Sequence, residues 1–411
     1  MVKRFRFPLW EVVPLNRDHL TPQTLVRFHR PIGFFALVLV CLGALWGLRG
    51  SPDIASYAAG AGAIVLAPLI AWRRRGVVRI ALWTVASLLA VFALASAETA
   101  VLKRPHVEID GRSSRLVVPD PLLGYRPRPN SRATLSLGHS GKGAFRAVYT
   151  IDRDGFRQTS GAQSGDADTT VFLGDSYTFG DALNDQDALP QQYSAAKRFR
   201  DRVLNTAFSG YGTHQLLRLL QSHRLDRRLG AGRRTFIYLV IDEHLRRIEG
   251  RAPTDWLGTP HFALAGPSVR YVGRYHSGLG PVARLLAESV LPVAVGNALM
   301  IEPKAQSTEL FGAMLQEAQR IVQQRYRGRL LILLWDEPLL LDKGAPGRGQ
   351  RRAALTDRMA QELAGRGVPY VRVSQLIPDY PAHMSDYAIA GNGHPTAALN
   401  RRLALALAQR P

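Results

Sequence analysis

Val171-Phe-Leu-Gly-Asp-Ser-Tyr-Thr-Phe-Gly180 is the stretch around which the rest of the chain arranges itself. Residues 170–173 form a short apolar run of the kind buried in a parallel sheet, and it stops abruptly at Gly174-Asp175-Ser176. Gly174 lets the backbone turn there without steric penalty. From the serine to about Lys197 the chain is expected to return as a helix. A serine just past the carboxyl end of a parallel strand stands where open α/β sheets bind their ligands.

Downstream, strands and helices alternate, the pattern of a doubly wound parallel sheet with helices on both faces. Strands are predicted over 202–207, 235–241, 329–335 and 370–373, and helices over 213–228, 282–300, 308–327 and 396–409. The run 235–241 is continuously apolar, as a strand buried on both faces must be. Residues 251–281, rich in Gly, Pro, Tyr and His, read as an insertion over the site in which Trp256 packs or stacks on a sugar ring. Upstream, the alternation Arg146-Ala-Val-Tyr-Thr-Ile151 ahead of Asp154-Gly155 predicts a small β-rich collar within 103–168.

The front of the chain is different. Residues 32–48, 54–72 and 80–102 are apolar stretches close to the roughly 20 residues that a spanning helix needs. Lys3, Arg4, Arg6, Arg17, Arg27 and Arg30 precede the first, and Arg73, Arg74, Arg75 and Arg79 lie between the second and third. Only Arg49, opposed by Asp53, lies between the first and second. The positive-inside bias then predicts a cytoplasmic lead-in (1–30), a three-helix membrane unit (31–102) and a domain delivered to the far side. In a bacterium that places the rest of the chain in the periplasm, anchored to the inner membrane. A cleaved signal peptide does not fit, because two further apolar stretches come after the first.

The net charge of +21 is partly topological: residues 1–97 hold eleven Lys/Arg against three acids, a net of +8, which leaves +13 for the rest. A basic domain often meets nucleic acid, but not in the periplasm. Anionic lipid head groups or an acidic envelope polymer fit better, beside the plain reading of an Arg-rich solvated surface. The lone Cys41 falls in the first apolar stretch, so the remainder of the chain forms no disulfide of its own.

Acyl transfer needs a nucleophile, a base and donors for the developing oxyanion. Ser176 comes after the first strand, Gly210 lies in Ala207-Phe-Ser-Gly-Tyr-Gly212 after the second, and His394 lies in Gly391-Asn-Gly-His-Pro395 before the last helix. One of each is therefore present. The Gly-x-Ser-x-Gly elbow of α/β-hydrolases is absent. So are a His-Glu-x-x-His zinc pair and a Gly-x-x-x-x-Gly-Lys-Ser/Thr phosphate loop, and no metal or cofactor is expected. His214, His261, His276 and His383 read as packing or surface residues, with His261 and His276, in the insertion, alternatively lining a substrate groove.

These blocks resemble those of the SGNH (GDSL-type) hydrolases. Gly174-Asp175-Ser176 matches the block that supplies the nucleophile, the stretch from Asn205 to Gly212 is similar to the oxyanion block, and His394-Pro395 matches the block of the base. Leu123-Gly-Tyr-Arg-Pro and Tyr149-Thr-Ile-Asp-Arg-Asp-Gly-Phe156 resemble segments that precede the domain in membrane-anchored members. The resemblance covers about 170–410 and implies a three-layer flavodoxin-like α/β/α sheet.

Two positions depart from the family pattern. The third block usually offers an oxyanion Asn; here Glu243-His244 stands in its place, so the resemblance makes His244 the donor, with Arg247 gripping substrate. The family also carries an Asp two or three residues before its His, where this chain has Gly391 and Asn392. In a serine-protease triad the Asp-to-Asn change costs about 10⁴ in rate. Asn392 accepts an N–H bond but brings no charge, and Asp386 is the nearest replacement in the preceding loop. The resemblance implies a serine esterase or O-acyltransferase acting on acyl, chiefly acetyl, esters of an envelope glycan or lipid-linked substrate, with another membrane protein as a conceivable partner. The alternative is an impaired relative that scaffolds or binds an envelope polymer.

Overall fold

The computed structural model describes residues 106–109, 111–137, 145–250, 258–278, 302–336, 348–390 and 393–410. All belong to one of the chain's two units, Arg104–Pro411. The apolar stretches between 32 and 102, Cys41, Trp256, the helix expected over 282–300, Gly391 and Asn392 lie outside the described residues. Among the described residues no helix is long and apolar enough to cross a membrane.

The collar region is built from strands β1 (His106–Ile109), β2 (Arg112–Ser113), β3 (Val117–Asp120), β4 (Gly124–Pro127), β5 (Ser131–Leu137) and β6 (Phe145–Ile151). They form a four-stranded antiparallel sheet in the order β2-β1-β5-β6 and a separate β3-β4 hairpin. Asp120 shapes the hairpin turn by accepting from the N–H groups of Leu122 and Leu123 at 2.9 and 2.8 Å, as Asp does in tight turns.

The second part opens with β7 (Thr169–Leu173), a one-turn helix α1 (Ser176–Phe179), α2 (Leu189–Ala196), β8 (Arg202–Asn205), α3 (Thr213–Gln221), β9 (Arg234–Val240) and α4 (Glu243–Arg247). A hairpin of β10 (Pro260–Ala265) and β11 (Ser268–Arg274) comes next, in the insertion. Then come α5 (Ala305–Gln324), β12 (Arg329–Leu334), α6 (Arg348–Gly365), β13 (Tyr370–Arg372), α7 (Val373–Leu376) and α8 (Ala397–Ala408). The parallel sheet has the order β13-β12-β9-β7-β8. Numbering its strands along the chain, this is the flavodoxin-like 2-1-3-4-5 order read from the other edge, and its switch point lies between β7 and β9.

Strand periodicity explains the two cores. Phe236, Tyr238 and Val240 of β9 pack on one face with α3, α5 and α6, while Ile237 and Leu239 pack on the other with α2 and α8. All five residues of β7 are buried. Each such apolar side chain contributes about 1.5–3 kcal/mol. The collar residues Tyr125, Tyr149 and Ile151 join the first of these cores.

Three expectations need correction. The helix expected from the nucleophile to Lys197 is broken: Gly180 (φ 89°) and Ala182 (φ 65°) turn left-handed, and α2 restarts with Pro190 in its first turn. The helix expected over 213–228 ends at Gln221, with Ser222 extended. Helix α6 has no counterpart among the predicted helices, although a parallel strand pair requires a crossover of its length. Its arginine-rich opening obscures the apolar face.

Candidate active site

Gly174 bends the chain out of β7 with φ 150°, and a Cβ there would overlap the Thr178 side chain. Asp175 caps α1, accepting from Tyr177 N at 3.0 Å through Oδ1. The N–H of Ser176 therefore opens a helix turn, where backbone donors lack partners within the helix. Gly180 N and Asp181 N both donate to the Ser176 carbonyl, at 2.9 and 3.0 Å.

The collar fastens this turn from behind. Arg157, 1% exposed, donates through Nη1 to the carbonyls of Phe179 and Gly180 at 2.7 and 2.8 Å and through Nη2 to Leu183 O at 2.7 Å. Its Nε pairs with Asp185 at 2.9 Å, and its guanidinium lies over Tyr149. The Tyr149 hydroxyl accepts from Ala182 N at 2.8 Å. The oxyanion-type loop is clamped likewise: Tyr125 OH donates to Ser209 O at 2.9 Å and Tyr211 OH donates to Tyr125 O at 2.8 Å. Between them Gly210 takes φ 79°, a conformation that suits glycine.

Ser176 and His394 stand at one rim of the sheet. The Tyr177 ring lies 5.3 Å from the His394 ring, centroid to centroid. Asp181, bonded through its N–H to Ser176, brings Oδ2 to 4.0 Å from His394 Nε2. Ser209 Oγ donates to the same carboxylate at 2.7 and 2.8 Å. Burial pushes the Asp181 carboxyl up from its ordinary value, opposed chiefly by His394 and then by Ser209. His394 itself is held by a short bridge between Ala388 and Pro395 and by the bond from Ile389 N to its carbonyl at 2.8 Å.

Three sequence-derived roles change. His244 does not line an oxyanion site: it is fully buried, with Nε2 3.3 Å from Asp175 Oδ2 and Nδ1 2.9 Å from the Tyr238 hydroxyl. Burial, against the opposing Asp175 carboxylate, pulls the His244 pKa down; because a carboxylate can only accept, Nε2 donates to Asp175 and Nδ1 faces the Tyr238 hydroxyl. Arg247 does not grip substrate: its Nη1 donates to Asp175 Oδ2 at 2.8 Å and to Tyr211 O at 2.6 Å. Because α4 starts directly after β9, positions 244 and 247 share the inward face of the helix. Burial alone would raise the Asp175 carboxyl, but Arg247 and then His244 hold it well below the usual carboxylate range.

Asp386 is the third. It pairs with His383 at 3.3 Å, and its side chain is 71% exposed, so it serves a surface turn rather than the base. The residue that sequence reasoning misses is Asp181. Its only signal there is position: it comes directly after the glycine that ends the nucleophile turn.

His261 stacks on Tyr275 at 4.3 Å in the insertion, and His214 is buried beneath it. Among the described residues no group of three or more His, Cys, Asp or Glu is arranged to hold a metal ion.

No protein-family model and no curated protein matches the chain. Several solved structures are similar to it. A lipolytic protein of the G-D-S-L family from Desulfitobacterium hafniense DCB-2 is 11% identical, with a TM-score of 0.31, over 59% of this chain and 98% of its own. The acetylxylan esterase Axe2 from Geobacillus stearothermophilus is 12% identical, with a TM-score of 0.33, over 61% and 94%. The psychrotrophic esterase EstA from Pseudoalteromonas sp. is 11% identical, with a TM-score of 0.32, over 58% and 93%. At values this low no residue role passes from these proteins to the chain. In its ordered blocks and its strand order, the chain resembles the SGNH (GDSL-type) hydrolases.

Proposed function

We propose that the protein is a membrane-anchored serine esterase or O-acyltransferase whose catalytic domain faces the periplasm. The observation that carries the chemistry is the convergence of the Ser176 turn, the Ser209-Gly210 loop and His394 at the carboxyl end of one parallel sheet, tied together through Asp181. Ser176 Oγ attacks the acyl carbonyl while His394 takes its proton. The N–H groups of Ser176 and Gly210 hold the oxyanion. Collapse expels the alcohol, which leaves with the proton from His394, and an acyl-serine remains. Water or a sugar hydroxyl then attacks this ester, losing its proton to His394, which passes it to the departing Ser176 oxygen as the acyl–serine bond breaks.

The anchor rests on the three apolar stretches and the arginine distribution around them. An anchored domain with a basic balance suits an acylated envelope glycan or a lipid-linked substrate, with acetyl the leading acyl group.

The second reading, a polymer-binding scaffold, is motivated by the uncharged Asn392. Hydrolysis of p-nitrophenyl acetate by the purified protein and by Ser176→Ala separates the two. Turnover should fall at least roughly a thousandfold in the variant. Equal rates would remove the serine mechanism and leave the scaffold.

A further inference from the structure

We propose that Asp181 is the carboxylate partner of His394, a positioning residue that takes the place of the acid missing at 391–392. This role presupposes the serine–histidine chemistry proposed above. Asp181 reaches the base from another part of the chain: it is the first residue after Gly180, at the end of the nucleophile turn.

Three contacts fix it. Its N–H donates to the Ser176 carbonyl at 3.0 Å. Ser209 Oγ donates to Oδ1 and Oδ2 at 2.7 and 2.8 Å, which leaves the carboxylate plane set by a residue next to Gly210. Oδ2 then lies 4.0 Å from His394 Nε2. One residue thus joins the nucleophile turn through its backbone and the oxyanion loop and base through its carboxylate. A separation of 4.0 Å is an ion pair rather than a hydrogen bond. Its work is electrostatic: when the Ser176 proton moves to His394, the imidazolium forms beside a half-buried negative charge.

Among the described residues, the other charged groups near the pair are engaged elsewhere. Asp175 lies nearby but is spent on Arg247 and His244. Arg157 is bound to Asp185 and the carbonyls at the end of α1. Tyr149 and Tyr177 pack against Asp181 and His394 respectively, and burial pushes both phenols above their ordinary values, so neither contributes charge.

The test is the pH dependence of ester hydrolysis by the full chain and by Asp181→Asn and Asp181→Glu. Without the carboxylate the imidazolium forms less readily. Asp181→Asn should therefore lose about 10–100-fold in kcat with KM little changed, and the acidic limb of kcat/KM should move to lower pH. Asp181→Glu should keep the limb in place and recover part of the rate. A limb that stays put in Asp181→Asn overturns the role and makes the residue a purely structural one.

Carbethoxylation of His394 by diethyl pyrocarbonate, monitored by mass spectrometry against pH, reads the same pairing without turnover. Its midpoint should fall in Asp181→Asn. It should also fall, by less, in Ser209→Ala, which serves should the first variant not fold. An unmoved midpoint sinks the pairing. A moved midpoint in a protein whose hydrolysis matches that of Ser176→Ala keeps the pairing and sinks the esterase.

Discussion

A single buried carboxylate, Asp175, decides how the site is supported. It caps the nucleophile turn with one oxygen and receives Arg247 and His244 on the other. Removing one member of such a buried pair strands the other, at a cost of about 3–5 kcal/mol. Arg247→Ala should therefore melt at a markedly lower temperature, with activity lost in step with the folded fraction. His244→Ala is expected to behave in the same direction and more mildly, since it removes a neutral donor. An oxyanion donor would behave otherwise: turnover would drop about 10²–10³-fold with the melting temperature unchanged. Melting curves and kcat measured on the same preparations distinguish these outcomes, and a catalytic loss without a thermal one would restore His244 to the oxyanion site. Ser176 and His394 are legible in the sequence because each sits in a block with its own residue order. His244 and Arg247 are not, because nothing in Asp242-Glu-His-Leu-Arg-Arg247 tells which face of a five-residue helix looks inward.

Elements are legible where apolar runs are long and uninterrupted. All five parallel strands lie within two residues of their predicted ends, and the central β7 and β9 carry the continuous apolar signal of burial on both faces. The helices are less so. Helix α1 stops after four residues on a left-handed Gly180, and α6 opens with Arg348, Arg351 and Arg352, of which Arg352 is drawn inward to Asp242 at 2.7 and 2.8 Å. Helix α3 carries a further consequence. His214 is 1% exposed, and among the described residues neither ring nitrogen has a hydrogen-bond partner. Burial first, then Arg247, His244 and His261, lower its pKa from 6.5 to about 3. The unfolded chain binds this proton near pH 6.5 and the folded one only near pH 3. Its contribution is thus intact above pH 6.5 and is lost on acidification toward pH 3, by about 1.4 kcal/mol per unit. His214→Phe should flatten the fall in stability between pH 6.5 and 4 relative to the parent protein. Denaturation midpoints that fall in parallel in the two proteins would show that His214 does not carry this dependence.

At the scale of the whole molecule, the proposed chemistry turns on which side of a membrane the α/β domain would occupy once anchored by 32–102. The arginines give the sign: ten Lys/Arg flank the first stretch on its leading side or fill the loop at 73–79, against Arg49 alone in the loop between the first two stretches. Each Lys or Arg held on the cytoplasmic side adds to one orientation. The parity of spans then decides the rest. Three spans export the domain, whereas two return it to the cytoplasm, and the stretch at 80–102 is the one that decides, since Glu98 lies near its end. A carboxyl that close to the boundary reaches the interface, where its cost is far smaller than at the bilayer centre. An exported domain would also have to hold together without disulfides, because Cys41 precedes it; the two sheet cores and the Arg157 clamp on the nucleophile turn are the contacts that would do so. Alkaline phosphatase fused after Pro52, after Gly76 and after Lys103 should accordingly be active, inactive and active in turn. Activity at the first site with none at the third would mean that 80–102 does not span, and the serine site would then face cytoplasmic rather than envelope esters.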